Sequence, residues 1–191
     1  MVQLTTIYTR TGDEGRTRLG DMSEADKHDP RVEAYGTVDE ANAAIGLAVA
    51  ALKPEDPLHA ELTRIQNDLF DLGADLCVPE SEEPRSWTPL RMKPEQTVRL
   101  EGVIDGFNAR LNALDSFILP GGSEASARLH LARTITRRAE RCVTALMAAG
   151  GTVSPAVITY LNRLSDLLFV AARIANDEGR ADVKWAPGKA P

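Results

Sequence analysis

Leu62, Ile65, Leu69, Leu72 and Leu76 are separated by alternating steps of three and four. That spacing predicts a helix over about 57–77 with a leucine-rich seam that has to be buried against other helices. The pattern recurs along the chain. Asp29-Pro30 reads as an N-cap followed by proline at the first helical position. Ala34, Val38, Ala41, Ile45, Ala48 and Leu52 then follow at helical spacing until Lys53-Pro54. Leu100, Ile104, Phe107, Leu111 and Leu114 mark a third helix over about 94–114. A fourth (about 123–149) and a fifth (about 154–177) are separated by Gly150-Gly151 and Ser154-Pro155. Between the second and third lies "PESEEPRSWTPLRMKP", whose prolines at 79, 84, 89 and 94 rule out a regular element. No convincing strand pair is visible, and alanine and leucine dominate over aromatic residues. The expectation is one all-α domain over residues 1–191: an irregular segment at 7–29, a five-helix bundle at 30–177 and an irregular tail at 178–191.

The charge balance narrows the function. With 28 Asp+Glu against 22 Lys+Arg, the chain lacks the basic face that general nucleic-acid binding requires. No stretch reaches the roughly 20 apolar residues of a membrane span, and "MVQLTTIYTR" is no signal peptide. Cys77 and Cys142 fall in apolar helical patterns and read as reduced, buried thiols, which fits the cytoplasm. His28, His59 and His130 form no metal-ligand spacing, so di-iron and zinc-protease chemistry are not expected.

Against this acidic background, "RTITRRAER" (133–141) packs four arginines and a glutamate into nine positions. On a helical wheel Ala132, Ile135, Ala139, Cys142, Val143 and Leu146 form one side. Arg133, Arg137 and Glu140 lie roughly opposite, flanked by Arg138 and Arg141. The face is either solvated or an anion site. Arg137 and Arg141 are like charges one turn apart, which costs free energy unless an anion such as a phosphate bridges them. In the fifth helix Asn162, Asp166, Phe169 and Arg173 share one stripe, either surface or ligand wall. Asp39 sits off the core side of the first helix beside Tyr35 and Asn42, as a solvated carboxylate or as a partner for an arginine elsewhere.

Two loops add candidates. "YTRTGDEGRTRLGDM" (8–22) combines glycines with Thr9, Thr11 and Thr17, a composition able to turn backbone N–H groups and hydroxyls toward phosphates. It is not a P-loop, because Asp21-Met22 stands where Lys-Ser/Thr is needed. In "FILPGGSEAS" a Pro-Gly-Gly turn precedes Ser123, a cap for the fourth helix. Phe117 and Ile118 are then ordinary core residues unless the motif carries a function.

Taken in order, "IYTRTGDEGRT", "KHDPRVEAYGTVDEANAAIG" (27–46), "FILPGG", "ARTITRRAER" and "YLNRLSDLLFVAAR" resemble the PduO-type ATP:cob(I)alamin adenosyltransferases over about residues 7–177. The proline-rich loop and the tail carry none of the resemblance. It implies a homotrimer with active sites between subunits. It also implies transfer of the 5′-deoxyadenosyl group of ATP to reduced cobalamin, with Mg²⁺ on the released triphosphate. By the same resemblance, Thr9, Arg10, Thr11, Gly12, Thr17, Arg18 and Lys27 contact ATP, although relatives often have a small hydroxyl residue where Arg18 stands. Arg137, Arg138, Ala139, Glu140 and Arg141 form the ATP-binding segment of the fourth helix, and Asn162 is a further polar contact. Asp39 pairs with Arg133 across the subunit interface. Phe117 and Phe169 lie near the corrin and help remove the lower ligand of cobalt. A flavin reductant and an adenosylcobalamin-dependent mutase or dehydratase are the implied partners. A cobalamin carrier without catalysis and a helical scaffold for an acidic partner are the competing readings.

Overall fold

The computed structural model describes residue 8, residues 10–81 and residues 84–188. Among them are five helices: α1 (Pro30–Val49), α2 (Pro57–Cys77), α3 (Pro94–Asn108), α4 (Glu124–Ala148) and α5 (Pro155–Ile174). Four begin with proline in the first turn, where its missing N–H costs nothing. Asp29 caps α1 by accepting from Arg31 N (2.7 Å), and Asp56 caps α2 by accepting from Leu58 N (2.9 Å). Ser123 caps α4 by accepting from Ser126 N (3.1 Å).

The α2 seam is buried along its whole length, from Leu62 to Leu76. α1 packs against α2 and α4, α4 against α5, and α5 against α3. Arg31, although charged, is buried at one end of the bundle. It donates to Leu76 O (2.8 Å) and Thr152 O (3.0 Å), which ties the start of α1 to the end of α2 and to the α4–α5 turn. At the opposite end Arg128 donates to Leu47 O (2.6 Å), joining the start of α4 to the end of α1.

Three expectations needed correction. α1 stops at Val49 and α3 at Asn108, short of residues 52 and 114, and both run on into turns. In the α3 case Asn108, Asn112, Asp115 and Ser116 compete with helical backbone bonding. Residues 16–26 are not wholly irregular: β1 (Arg16–Arg18) pairs antiparallel with β2 (Glu24–Asp26). The tail folds back as well. Ile118 and Lys184 form an antiparallel bridge, flanked by Leu119 N→Val183 O and Trp185 N→Phe117 O, each 2.8 Å.

Candidate active site

The β1–β2 hairpin is docked on the end of α2. Gly20 N donates to Cys77 O (2.9 Å), and a Cβ on Gly20 would lie 2.7 Å from the Val78 side chain, so only glycine permits that approach. At the tip, Asp21 accepts from Ser23 Oγ (2.5 Å) and from Arg85 of the proline-rich loop (3.3 Å). The Ser23 hydroxyl, with Arg85 as a further cause, holds the Asp21 carboxyl below its ordinary pKa. Arg85 also donates to Pro79 O (2.9 Å). At the base, Lys27 N donates to Gly15 O (2.8 Å), and Thr17 hydrogen-bonds the half-buried Tyr35 of α1, whose own pKa burial raises. The hairpin thereby encloses a polar cavity of about 650 Å³ lined by Thr11, Gly12, Thr17, Arg18, Lys27 and Glu24. Arg16 lines it as well and pairs with Glu24 (3.3 Å), so hydroxyls, three cations and backbone in a loop suit a polyphosphate.

A second set of residues runs along α4 and α5. Glu140 accepts from Asn162 Nδ2 (3.0 Å). Arg141 donates to Arg137 O (3.0 Å), and no ion-pair partner for Arg137 occurs among the described residues. Arg133 is half-buried, and its Nε has no partner among the described residues. Burial first, and Arg137 second, lower its pKa. Next along the helix His130 is buried with Nδ1 unpartnered. Burial, with Arg133 adding to it, lowers the pKa of this imidazole below its ordinary value. The His130 ring meets Phe169 edge-on at 6.2 Å. Phe169 in turn lines an apolar cavity of about 620 Å³ with Leu114, Phe117, Trp185 and Pro187. Phe117 is 78% exposed, so the reading of this residue as core is overturned. Gly122 explains the turn that presents it: its φ is 96°, and a Cβ there would overlap the Asn176 amide.

The cobalamin adenosyltransferase family model matches residues 7–175, which is most of the chain. The chain belongs to the cobalamin adenosyltransferase family. Within that family it is 55% identical over 190 residues to the corrinoid adenosyltransferase of Mycobacterium bovis, covering 98% of this chain and 96% of that protein. The Bacillus subtilis corrinoid adenosyltransferase is 45% identical over 183 residues, 94% of this chain and 91% of its own. The fold matches a single-site variant of the PduO-type ATP:corrinoid adenosyltransferase from Lactobacillus reuteri, complexed with cobalamin and ATP. That match has a TM-score of 0.85 at 41% identity, covering 94% of this chain and 99% of the other.

This adenosyltransferase fold gathers some of the sequence-predicted residues and separates others. Thr11, Gly12, Thr17, Arg18 and Lys27 share the hairpin cavity. Arg10 stands beside it with a left-handed φ of 60°, its guanidinium over the Tyr8 ring, and Thr9 lies outside the described residues. Phe117 and Phe169 share the apolar cavity. Asp39 is exposed and makes no ion pair with Arg133 within the chain. Ala139 is buried in the core, so its side chain packs the helix and only its backbone is left for another contact. Arg138 is engaged by Glu40 of α1, and both side chains stay exposed. One placement is a correction. Arg173 is not part of the ligand wall, being buried against Asp182 at 2.8 Å. Sequence reasoning missed Glu24, Tyr35, His130 and Trp185. None of the four carried a signal: on the helical wheel His130 falls on the same face as Arg137 and Arg141, and only the fold buries it beside Phe169.

Proposed function

We infer that the protein transfers the 5′-deoxyadenosyl group of ATP to cob(I)alamin, forming adenosylcobalamin and releasing triphosphate. Family membership sets the reaction class. The observation that carries it to this chain is the convergence of the ATP-loop residues on one polar cavity, while Phe117 and Phe169 meet in a separate apolar one. Cobalt(I) is itself the nucleophile, so no general base is required. The protein has to align cobalt with C5′ and stabilise the charge that develops on the triphosphate. Arg137 and Arg141 serve that charge, and Glu140 with Asn162 orients the nucleotide. The hairpin cavity offers the hydroxyls of Thr11 and Thr17 and the carboxylate of Glu24, oxygen donors of the kind Mg²⁺ takes while keeping phosphate oxygens and water as its other ligands.

The hairpin packs on the end of α2, where α1 begins, whereas Phe117 precedes α4, whose start is tied to the end of α1. Helices of 20 residues such as α1 and α5 span about 30 Å, far beyond the reach of a bond-forming contact. The hairpin of one subunit therefore works with the α4–α5 wall and Phe117 of another, and a homotrimer closes such head-to-tail contacts. Asp39, exposed and unpaired, and Arg133, half-buried with an unsatisfied Nε, are the complementary groups for that interface. A cytoplasmic site fits, since no helix among the described residues is long and apolar enough to cross a membrane. A flavin reductant and an adenosylcobalamin-dependent mutase or dehydratase complete the setting. The test is anaerobic incubation with ATP, Mg²⁺ and chemically reduced cobalamin. The visible spectrum of adenosylcobalamin and stoichiometric triphosphate are expected. A bound corrinoid without triphosphate release would leave a carrier instead.

A further inference from the structure

The hairpin face that lines the polar cavity carries more positive charge than the chain neutralises. Successive side chains of a strand alternate, so Arg16, Arg18, Glu24 and Asp26 share one face of the β1–β2 pair. In the register Arg18 stands opposite Glu24, and Arg16 opposite Asp26. Directly opposite side chains are about 5 Å apart and diagonal ones about 7–8 Å, so Arg18 is the nearer partner for Glu24. Glu24 nevertheless pairs with Arg16 on the diagonal (3.3 Å), and the Arg18 guanidinium has no hydrogen-bond or ion-pair partner among the described residues. Asp21, the nearest carboxylate toward the tip, is held there by Ser23 and Arg85. Lys27 is the second cation without an ion-pair partner among the described residues. Its Nζ lies 3.2 Å from the position a Cβ on Gly12 would take, so the glycine seats the ammonium against the loop. Of the three cations lining the cavity two are thus uncommitted, and the one lining carboxylate is engaged by Arg16.

We propose that this cavity binds inorganic triphosphate by itself, with Arg18 giving the released product its hold, so that the product competes with ATP for the hairpin. The inference rests on the reaction proposed above. In that reaction cobalt(I) supplies the electron pair of the new cobalt–C5′ bond, and the pair of the breaking C5′–oxygen bond leaves on the oxygen. The triphosphate therefore departs with a further negative charge and without its nucleoside. What it retains is what the hairpin is built to meet, phosphate oxygens. A guanidinium with no internal salt bridge to break gains most from the ligand of highest charge, and its planar fork takes two phosphate oxygens at once. ATP divides its contacts between the hairpin and the α4–α5 wall, so one hairpin cation is a smaller share of its affinity. Arg18 is exposed, and its removal leaves the docking of the hairpin through Gly20 and Arg85 in place.

In the experiment full-length wild type, Arg18→Ala and Arg18→Lys are titrated calorimetrically with sodium tripolyphosphate, without corrinoid and at constant Mg²⁺. Sodium sulfate at matched ionic strength is the control. Both salts are then tested as inhibitors of adenosylation, with cobalt(I) already formed and ATP varied. Wild type is expected to bind tripolyphosphate, which inhibits in competition with ATP, whereas sulfate has little effect. Arg18→Ala should raise the tripolyphosphate Kd about tenfold and the KM for ATP only about two- to threefold. Arg18→Lys should recover part of the loss, because the charge remains and the fork does not. An active wild type that binds no tripolyphosphate, or that sulfate inhibits as strongly, overturns the inference alone. Equal increases in Kd and KM for Arg18→Ala would make the residue a general ATP contact and overturn its assignment to the product. A wild type that forms no adenosylcobalamin from ATP and cob(I)alamin overturns the proposed function, and with it triphosphate as a product.

Discussion

Truncating Phe117 to alanine separates a functional aromatic from a structural one, because the two roles differ in magnitude. The ring is 78% exposed. About a fifth of a side chain of roughly 200 Å² is therefore removed from water, some 45 Å², worth about 1 kcal/mol at roughly 25 cal/mol per Å². A fully buried phenylalanine would cost about 3–5 kcal/mol. For a chain of this size 1 kcal/mol corresponds to a melting shift of roughly 2–4 °C. The expected variant is therefore folded, with undiminished ATP affinity. Activity is a different matter. Cobalt(II) with axial ligands resists biological reductants, and in the proposed role the phenyl ring would exclude water and the lower base from one face without bringing a charge. Assayed from cobalt(II) with a reduced flavin, Phe117→Ala should lose at least about tenfold in rate, or 1.4 kcal/mol in barrier. Assayed with cobalt(I) already formed, it should lose less. A melting temperature lowered by 8 °C or more, with equal losses in both assays, would refute the reasoning and return Phe117 to the core. Unchanged activity in both assays would refute the assignment to cobalt.

Arg137→Ala should lower kcat by roughly a hundredfold, about 3 kcal/mol of lost charge stabilisation, with unchanged circular dichroism, since alanine is the better helix former; full turnover would remove the arginine from the site. Asp39→Asn should reduce the trimer in sizing chromatography and activity together, because Asp39 has no ion-pair partner among the described residues of its own chain to explain a loss; an intact trimer with full activity would make it a solvated carboxylate. Arg85→Ala should raise the KM for ATP several-fold with little change in kcat, since it frees the hairpin tip without touching the reacting atoms; an unchanged KM would show that the hairpin holds itself. The pH dependence of that clamp has a definite sign. Because the Asp21 pKa is lowered in the folded state, its contribution is complete above the ordinary carboxylate value near 4 and is lost as pH falls through the lower folded value. From about pH 5 upward Asp21 titration should leave the KM flat, which initial rates at several pH values check.

How much was legible depended on the length scale of each signal. Long stripes such as Leu62 to Leu76 are redundant, so a single missed residue would not hide the helix, and all five helices were readable. The strands were not, because "RTR" and "EAD" are three residues long and carry no apolar alternation. They exist because Gly20 and Asp21 find partners at Cys77 and Arg85, some 55 to 65 positions away along the chain. The tail was unreadable for a related reason. Asp182 looks like any surface carboxylate until Arg173 and Asn176 close around it. Phe117 shows the converse limit: an aromatic beside Ile118 and Leu119 is core-like by composition, and only the Pro120-Gly121-Gly122 turn turns it outward.

The arginine face of α4 closes the chemical argument. Burial first and Arg137 second lower the pKa of Arg133, and the repulsion between the two guanidinium groups is carried as a cost in the free chain. Arg138 has an internal anion in Glu40, whereas Arg137 has none among the described residues. In a chain with a net charge of −6, a carboxylate at one of the neighbouring exposed positions would have relieved that repulsion easily. Leaving Arg137 unpaired keeps its guanidinium available to a ligand, and the same local positive field draws a polyanion that the overall charge repels. The interaction also grows during the reaction. In the proposed reaction charge concentrates on the departing triphosphate as the C5′–oxygen bond breaks, so arginines facing it would hold the transition state more tightly than they hold ATP, and their contribution should appear in kcat. Mutual repulsion that is tolerated in the free chain and relieved most fully at the transition state is what a leaving-group site requires, and a solvated helix face has no reason to maintain it.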